Sequence, residues 1–163
     1  MQLPYWVQTV QALGPSLVAV VVGFVAGYVA YRQFRASRDK LRLDLFEKRY
    51  AVYQEVRKVL ATTLQEGTVT YDDVTSFYRK VHGSEFLFGS EVEAFIERVR
   101  EKLNNLAYHE GQIRAFNDGT LQNEAQYQKS VDAAYNRTLE VQHLLMTESR
   151  PIFENYLSFS HLK

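Results

Sequence analysis

The pattern of hydrophobic and polar positions divides the chain into an uncharged N-terminal stretch and a longer part with helical periodicity. The first 31 residues carry no charged side chain, and residues 13–31 form a 19-residue run that is almost entirely apolar. As a helix this run would be about 28 Å long at 1.5 Å per residue, close to the ~30 Å hydrocarbon core of a bilayer. We therefore expect one N-terminal transmembrane helix.

The context of this run favours a permanent anchor over a cleaved secretory signal. No lysine or arginine precedes it, and Val29-Ala30-Tyr31 followed by Arg32 lacks the basic region and small-residue cleavage site of a signal peptide. We expect the run to remain attached to the rest of the chain.

The next segment continues the helical pattern without a break. From Asp39 to Glu66 apolar side chains recur at helical spacing, and no glycine or proline lies between Tyr31 and Asp39. The pattern predicts one long helix that ends near Glu66-Gly67, where glycine can adopt the positive φ of a C-cap.

A short helix is predicted next, with Thr70 as its N-cap and Asp73 in its first turn. The segment 82–93 is predicted to be a compact connector that buries Phe86, Leu87 and Phe88, and Ser90 and Glu93 have the spacing of a capping box.

A long helix with apolar residues 3, 4 or 7 apart follows and is predicted to end at Asn117-Asp118-Gly119. The last long helix is predicted to begin near Asn123, with Gln126 as its capping partner, and Pro151 to start a final turn or two. No segment alternates with period two, so the fold class is all-α. The expected architecture is one N-terminal transmembrane helix that continues into a cytoplasmic antiparallel helical bundle.

Charge divides the chain into three segments, namely 1–31 (a short outside tail and the transmembrane helix), 32–49 (a basic juxtamembrane helix) and 50–163 (the bundle). Net charge is zero, but 32–49 holds seven basic and three acidic side chains and the bundle has a net charge of −4. Basic residues beside a span stay on the cytoplasmic side. We therefore expect the N-terminus to lie outside and the rest of the chain, after the span, to be cytoplasmic.

Four arginines of the juxtamembrane helix form a candidate lipid- or pore-facing surface: Arg32, Arg35, Arg38 and Arg42. They could bind anionic headgroups of the lipid bilayer, or line the mouth of a ring that passes anions or RNA. A solvated helix beside the lipid is the simpler alternative. The slightly acidic bundle gives no footprint for general nucleic-acid binding.

Gly23 and Gly27 lie four residues apart within the apolar run, a spacing that lets two membrane helices approach closely. Incidental glycine is the alternative, since glycine is common in membrane helices. The chain also has eleven tyrosines, and aromatic residues with a polar tip are favoured at protein contacts. These features favour a homo-oligomer or a cytoplasmic protein partner.

Arg137 and His143 are the weak candidates for catalysis. A histidine could transfer a proton beside an arginine that holds a phosphate, but six residues along a helix turn through about 240°, so the two side chains do not share a face. The alternative is an exposed arginine and a partly buried histidine. Glu140 and His143 have the spacing of di-iron ligands, but the sequence has no second Glu-x-x-His. Cysteine is absent, which excludes thiol catalysis. We expect no conventional enzyme, no cofactor and no metal site.

The strings KLRLDLFEKRYAVYQEVRKVL (40–60) and FLFGSEVEAFIERV (86–99) resemble a group of small bacterial single-pass membrane proteins. This resemblance implies a location in the inner (plasma) membrane of a bacterium and a helical cytoplasmic domain, and it implies no particular activity. The layout is also similar to that of the small membrane accessory proteins of type VI CRISPR systems, which have a divergent HEPN fold and assemble into a pore. The spacing of Arg137 and His143 lies within the Arg-x(4–6)-His pattern of HEPN ribonucleases.

Three functions are therefore expected in order. The first is a membrane-anchored helical interaction or assembly protein that faces the cytoplasm and self-associates. The second is an oligomeric membrane effector or pore in antiviral defence, and the third is a membrane-tethered HEPN-like ribonuclease that would bind RNA.

Overall fold

The structure, a computed structural model, describes residues 5–158, with side chains from residue 18 onward. Within these residues the chain is all-α, as predicted, and contains no strand. The α-helices are α1 (Tyr5–Glu66), α2 (Tyr71–Val81), α3 (Ser90–Asn117), α4 (Glu124–His143) and α5 (Ser149–Leu157). A 3₁₀ turn spans Ser84–Phe86, and a π-helical turn spans Leu144–Glu148.

Helix α1 is a single helix through the predicted juxtamembrane segment, and it ends at Glu66 as predicted. Gly67 has φ +68°, a backbone conformation that side chains with a Cβ rarely adopt. The chain consists of two compact units, the first ending at Asp44 and the second beginning at Leu45. The boundary therefore lies within α1.

The predicted transmembrane helix is not supported by the described part of the chain. Among the described residues, no helix combines the length and the apolar character needed to cross a membrane. Residues 13–17 of the predicted span belong to the part of α1 whose side chains lie outside the description.

The hydrophobic core belongs to the second unit. It is built from the inward faces of α1, α2, α3 and α4, the π-helical turn and α5, and its fully buried large side chains include Val56, Leu60, Phe95, Leu103, Leu106 and Phe153. Of these, Val56, Leu60, Leu103 and Leu106 lie at apolar positions whose helical spacing predicts a buried face. Phe153 anchors α5 through aromatic contacts with Tyr53, Phe88 and Phe95.

Helices α3 and α4 pair antiparallel, as an antiparallel bundle requires. Near the connecting turn Phe116 stacks on Tyr127 with ring centroids 4.4 Å apart. Further along, Lys102 Nζ lies 3.0 Å from Glu140 Oε2. Positions earlier in α3 thus contact positions later in α4, as expected of an antiparallel pair. The ion pair shows that polar side chains of the two long helices also face each other.

Two predicted helix starts are confirmed. Thr70 and Asp73 form a capping box, in which Asp73 N–H donates to Thr70 Oγ1 and Thr70 N–H donates to Asp73 Oδ2. Asn123 Oδ1 accepts the N–H of Gln126 at the start of α4. Each bond satisfies an N–H that the first turn of a helix leaves without a backbone partner.

The predicted capping box of Ser90 and Glu93 is wrong. The N-cap of α3 is Gly89, and no side chain caps this helix. The N–H of Gly89 instead donates to Tyr156 Oη from α5. A tertiary contact therefore fixes the entry of the chain into α3.

The prediction that the connector buries three consecutive apolar residues is correct only in part. Phe88 belongs to the core and Leu87 packs against it, but Phe86 is 87% exposed. Gly83 has φ +86°, and the 3₁₀ turn that follows places Ser84 inside and Phe86 outside.

The last helix begins two residues earlier than predicted. The π-helical turn carries α4 directly into α5, so Pro151 is the third residue of α5. Proline lacks an N–H and cannot donate to the preceding turn. The wider π turn ends at Glu148, three positions before Pro151.

Candidate functional site

The apolar part of the first unit is exposed along its described length. Every residue from Val18 to Tyr31 is exposed, and none is charged. Contiguous apolar surface of this kind marks a membrane or protein interaction site in a folded protein. The stretch ends at Arg32, where the side chains become polar.

Gly23 and Gly27 lie within this exposed stretch, and no contact among the described residues requires a glycine at either position. Neither has a positive φ, and a Cβ added at either position would meet nothing within 4 Å. By contrast, a Cβ at Gly89 would lie 2.6 Å from Tyr156 Oη. Since glycine in a helix interior costs about 0.8–1 kcal/mol relative to alanine, the pair at 23 and 27 is unexplained by intrachain packing.

The surface around the two glycines is a shallow apolar groove lined by Val20, Gly23, Phe24, Gly27 and Tyr28. The large side chains form its walls because the glycines contribute no side chain to the floor. A second helix fits such a groove more closely than a lipid tail does, since its own backbone can approach the glycines.

The four arginines of the first unit continue α1 beyond the apolar stretch. Arg32, Arg35 and Arg38 are exposed, whereas Arg42 is partly buried. Within the described part of the chain, none of the four forms an ion pair with a carboxylate. Their positive charge therefore remains available to an anionic surface or ligand.

The second unit holds a polar cluster between α3 and α4 that centres on Glu140. Arg137 Nη1 donates to Glu140 Oε1 at 2.7 Å and to Oε2 at 2.8 Å, and Lys102 Nζ lies 3.0 Å from Oε2. Burial opposes ionisation of this carboxyl group, but the hydrogen bonds from Arg137 and Lys102 outweigh it and lower the pKa of Glu140. The cluster is an ion-pair network that joins the two helices.

His109 of α3 is a titratable residue that the sequence did not single out as functional. Its Nδ1 is buried without a hydrogen-bond partner, and burial, together with the charges of Arg137 and Lys129, lowers its pKa. Its spacing is the sequence feature that indicates burial, because Leu106, His109 and Ile113 are three and four residues apart and share one side of the helix.

His143 lies at the end of α4 and belongs to a different set of contacts. Its Nδ1 is 3.2 Å from Glu148 Oε1, and Arg98 Nη2 is 2.8 Å from Glu148 Oε2. The His143 side chain is 61% exposed and that of Arg137 33%. The expectation of an exposed arginine and a partly buried histidine is therefore reversed.

Arg137 and His143 form ion pairs with different carboxylates. Arg137 pairs with Glu140, whereas His143 pairs with Glu148 of the π-helical turn. In the part of the chain that the structure describes, no group of three or more His, Cys, Asp or Glu side chains is arranged to hold a metal ion. The features with the clearest functional meaning are therefore the apolar and basic surfaces of α1.

Comparisons with protein-family models, with curated proteins and with solved structures find no match to this chain.

Proposed function

We propose that this chain is a single-pass, membrane-anchored helical protein that faces the cytoplasm and acts by assembly, with further copies of itself or with a cytoplasmic protein partner. The supporting observation is the uncharged stretch of α1 that ends at the first arginine. Residues 13–31 would lie in the lipid bilayer, and the described part of that stretch exposes apolar side chains along its whole length. In water this surface would be unfavourable, whereas hydrocarbon would cover it.

The orientation follows from the arginines that adjoin the stretch. Arg32, Arg35 and Arg38 are exposed and would lie among the headgroups of the inner leaflet of a bacterial plasma membrane. Each basic residue near an anionic surface contributes about 1 kcal/mol of attraction. The second unit, which follows in the chain, would then be cytoplasmic.

Self-association is supported by Gly23 and Gly27. Within the described part of the chain, neither a positive φ nor a close contact requires glycine at these positions. Close approach of a second helix would give both glycines a packing role. The helical domain would then be presented in more than one copy at the membrane, where a cytoplasmic partner could bind several copies at once.

Flotation of cell membranes on a density gradient tests the anchoring. The unmodified chain should float with the lipid, and the double variant Val22→Arg, Val25→Arg should not, because each arginine at the centre of a span costs about 2.5–3.5 kcal/mol. The matched control is Val22→Leu, Val25→Leu, which should float. An unmodified chain that stays at the bottom of the gradient, or an arginine variant that floats equally well, would overturn the proposal.

An oligomeric membrane effector is the second candidate, and the absence of ion pairs on Arg32, Arg35, Arg38 and Arg42 within the described residues favours it. In a ring these side chains would line a mouth that attracts anions. Overexpression should then depolarise cells, and Gly23→Leu or Gly27→Leu should remove the effect by blocking helix approach. Unchanged membrane potential at equal protein levels would leave only the assembly role.

A further inference from the structure

The first unit carries a second exposed apolar feature beyond the stretch that lipid would cover. Phe34 is 63% exposed and Leu41 66% exposed, and both lie in the basic segment that begins at Arg32. The two positions are seven residues apart, and seven residues turn a helix to within about 20° of two full turns. Phe34 and Leu41 therefore lie on the same side of α1.

The same side continues toward the N-terminus with unbroken heptad spacing. The positions that precede Leu41 at alternate intervals of four and three residues are Ser37, Phe34, Ala30, Gly27, Gly23 and Val20. We call the seven positions from Val20 to Leu41 the seam. Its larger side chains are separated by glycine, alanine or serine, and none of its members is charged.

Lipid cannot cover the cytoplasmic end of the seam. A bilayer is about 30 Å thick in its hydrocarbon core and about 40–45 Å with its headgroups, so each headgroup layer adds roughly 5–7.5 Å. Leu41 is ten residues past Tyr31, about 15 Å farther along a helix. Leu41 is also exposed with respect to the rest of the described chain, so neither the bilayer nor the described fold covers it.

We infer that the seam is a parallel helix–helix interface between copies of this chain, and that it extends the glycine contact through Phe34 and Leu41 on the cytoplasmic side. This inference rests on the self-association in the proposed function. In a parallel pair each seam side chain enters a hole bordered by four residues of the other helix. The hole for Phe34 is bordered by Ala30, Gln33, Phe34 and Ser37 of the second copy, so small side chains flank the phenyl ring.

Charge also permits an identical partner in the same register. Across a parallel pair, the flanking positions place Gln33 of one copy beside Arg38 of the other, and Ala26 beside Tyr31. Neither pairing brings two like charges together. The heptad spacing next reaches Asp44, whose carboxylate would face its own copy, and Asp44 is also the last residue of the first unit. The seam therefore ends at Leu41.

Disulfide crosslinking tests the seam directly, because the natural chain contains no cysteine. The variants are Leu41→Cys on the seam and Leu43→Cys as the matched control, which replaces an exposed leucine (52%) two residues, and so about 200°, away around the helix. Each full-length variant is oxidised in native membranes and the dimer is measured on a non-reducing gel. A disulfide needs Cα atoms closer than about 7 Å, so dimer should be on the order of tenfold more abundant at 41 than at 43.

A second seam variant, Ser37→Cys, removes no large side chain and should crosslink as strongly as Leu41→Cys. Equal dimer at 41 and 43, or none at 37 and 41, would overturn the inference. Flotation of the same samples reports separately on anchoring. Material that floats without crosslinking at 37 or 41 contradicts the seam alone, whereas material that does not float contradicts the proposed function.

Discussion

Tyr156 of α5 fixes the entry of the chain into α3, because its Oη accepts the backbone N–H of Gly89 over 3.2 Å. A Cβ at position 89 would lie 2.6 Å from that oxygen. The Tyr156 ring packs edge-on against Phe88, with the two ring centroids 5.3 Å apart. The Arg49 guanidinium carbon lies 5.5 Å from the centroid of the Tyr156 ring. The connector, α5 and the second-unit part of α1 therefore meet at one residue.

Gly89→Ala should destabilise the second unit. The added methyl group must push away a ring that two neighbours hold, and such overpacking typically costs about 1–3 kcal/mol. Thermal unfolding of the full-length chain, followed by circular dichroism, measures the loss. In a Tyr156→Phe background the oxygen is gone and the same substitution should cost clearly less. Equal costs in both backgrounds would contradict the contact.

Arg49→Lys should destabilise the connector despite conserving the charge. The Arg49 Nε–H donates to the carbonyl of Leu87 over 2.9 Å, and its planar group lies over the rings of Phe88 and Tyr156. Lysine supplies neither the planar group nor the fixed donor geometry. The free energy of unfolding should therefore fall by about 1–2 kcal/mol. The neighbouring Lys48→Ala, at an exposed position, should change stability by less than about 0.5 kcal/mol. A similar loss in both variants would contradict the role of Arg49.

His109→Leu should remove one pH-dependent contribution to stability. Burial and the nearby cations Arg137 and Lys129 lower the pKa of His109 below its ordinary value of 6.5 in the folded state. Between that lowered pKa and 6.5 the unfolded chain binds more protons, so stability falls as the pH drops through this range. The leucine variant should lose this slope. At neutral pH it should be at least as stable as the natural chain, because Nδ1 is buried without a hydrogen-bond partner.

The control for this pH dependence is His82→Ala, because His82 follows α2 and lies outside helices α3 and α4. Denaturant unfolding at a series of pH values from neutral to mildly acidic compares the two variants with the natural chain. A slope that His109→Leu leaves unchanged, or that His82→Ala removes instead, would contradict the assignment.

The purified chain should leave RNA intact. Arg137 is paired with Glu140 and His143 with Glu148, so neither contact brings the two side chains to a shared phosphate. Incubation with labelled RNA over a range of pH and divalent metal concentrations checks this prediction. Cleavage that is lost in both Arg137→Ala and His143→Ala would contradict it and support the ribonuclease hypothesis.

The sequence predicted best those features that depend on neighbouring residues. The end of α1 at Gly67, the Thr70 capping box and the Asn123 cap are each decided by bonds or dihedral angles within three or four residues. The apolar spacing of α3 likewise predicted its buried face. These local signals account for the all-α fold and for most of its helix boundaries.

The features that the sequence missed depend on contacts between distant residues. Gly89 rather than Ser90 is the N-cap of α3, and its N–H donates to Tyr156, which lies 67 positions later in the chain. Phe86 is exposed because a 3₁₀ turn rotates it outward, while Arg49 binds the carbonyl of Leu87. His109 and Arg137 are brought near each other only by the antiparallel pairing of α3 and α4. No local pattern encodes these relationships.

Thiol labelling in intact cells tests the central claim, membrane anchoring with a cytoplasmic second unit, most directly. Single cysteines at Gln2 and Asp118 place one reporter on each side of the proposed span in a chain that otherwise has none. A membrane-impermeant maleimide should label Gln2→Cys in intact cells and Asp118→Cys only after the cells are lysed. Labelling of Asp118→Cys in intact cells would contradict this topology, as would protection of Gln2→Cys until lysis.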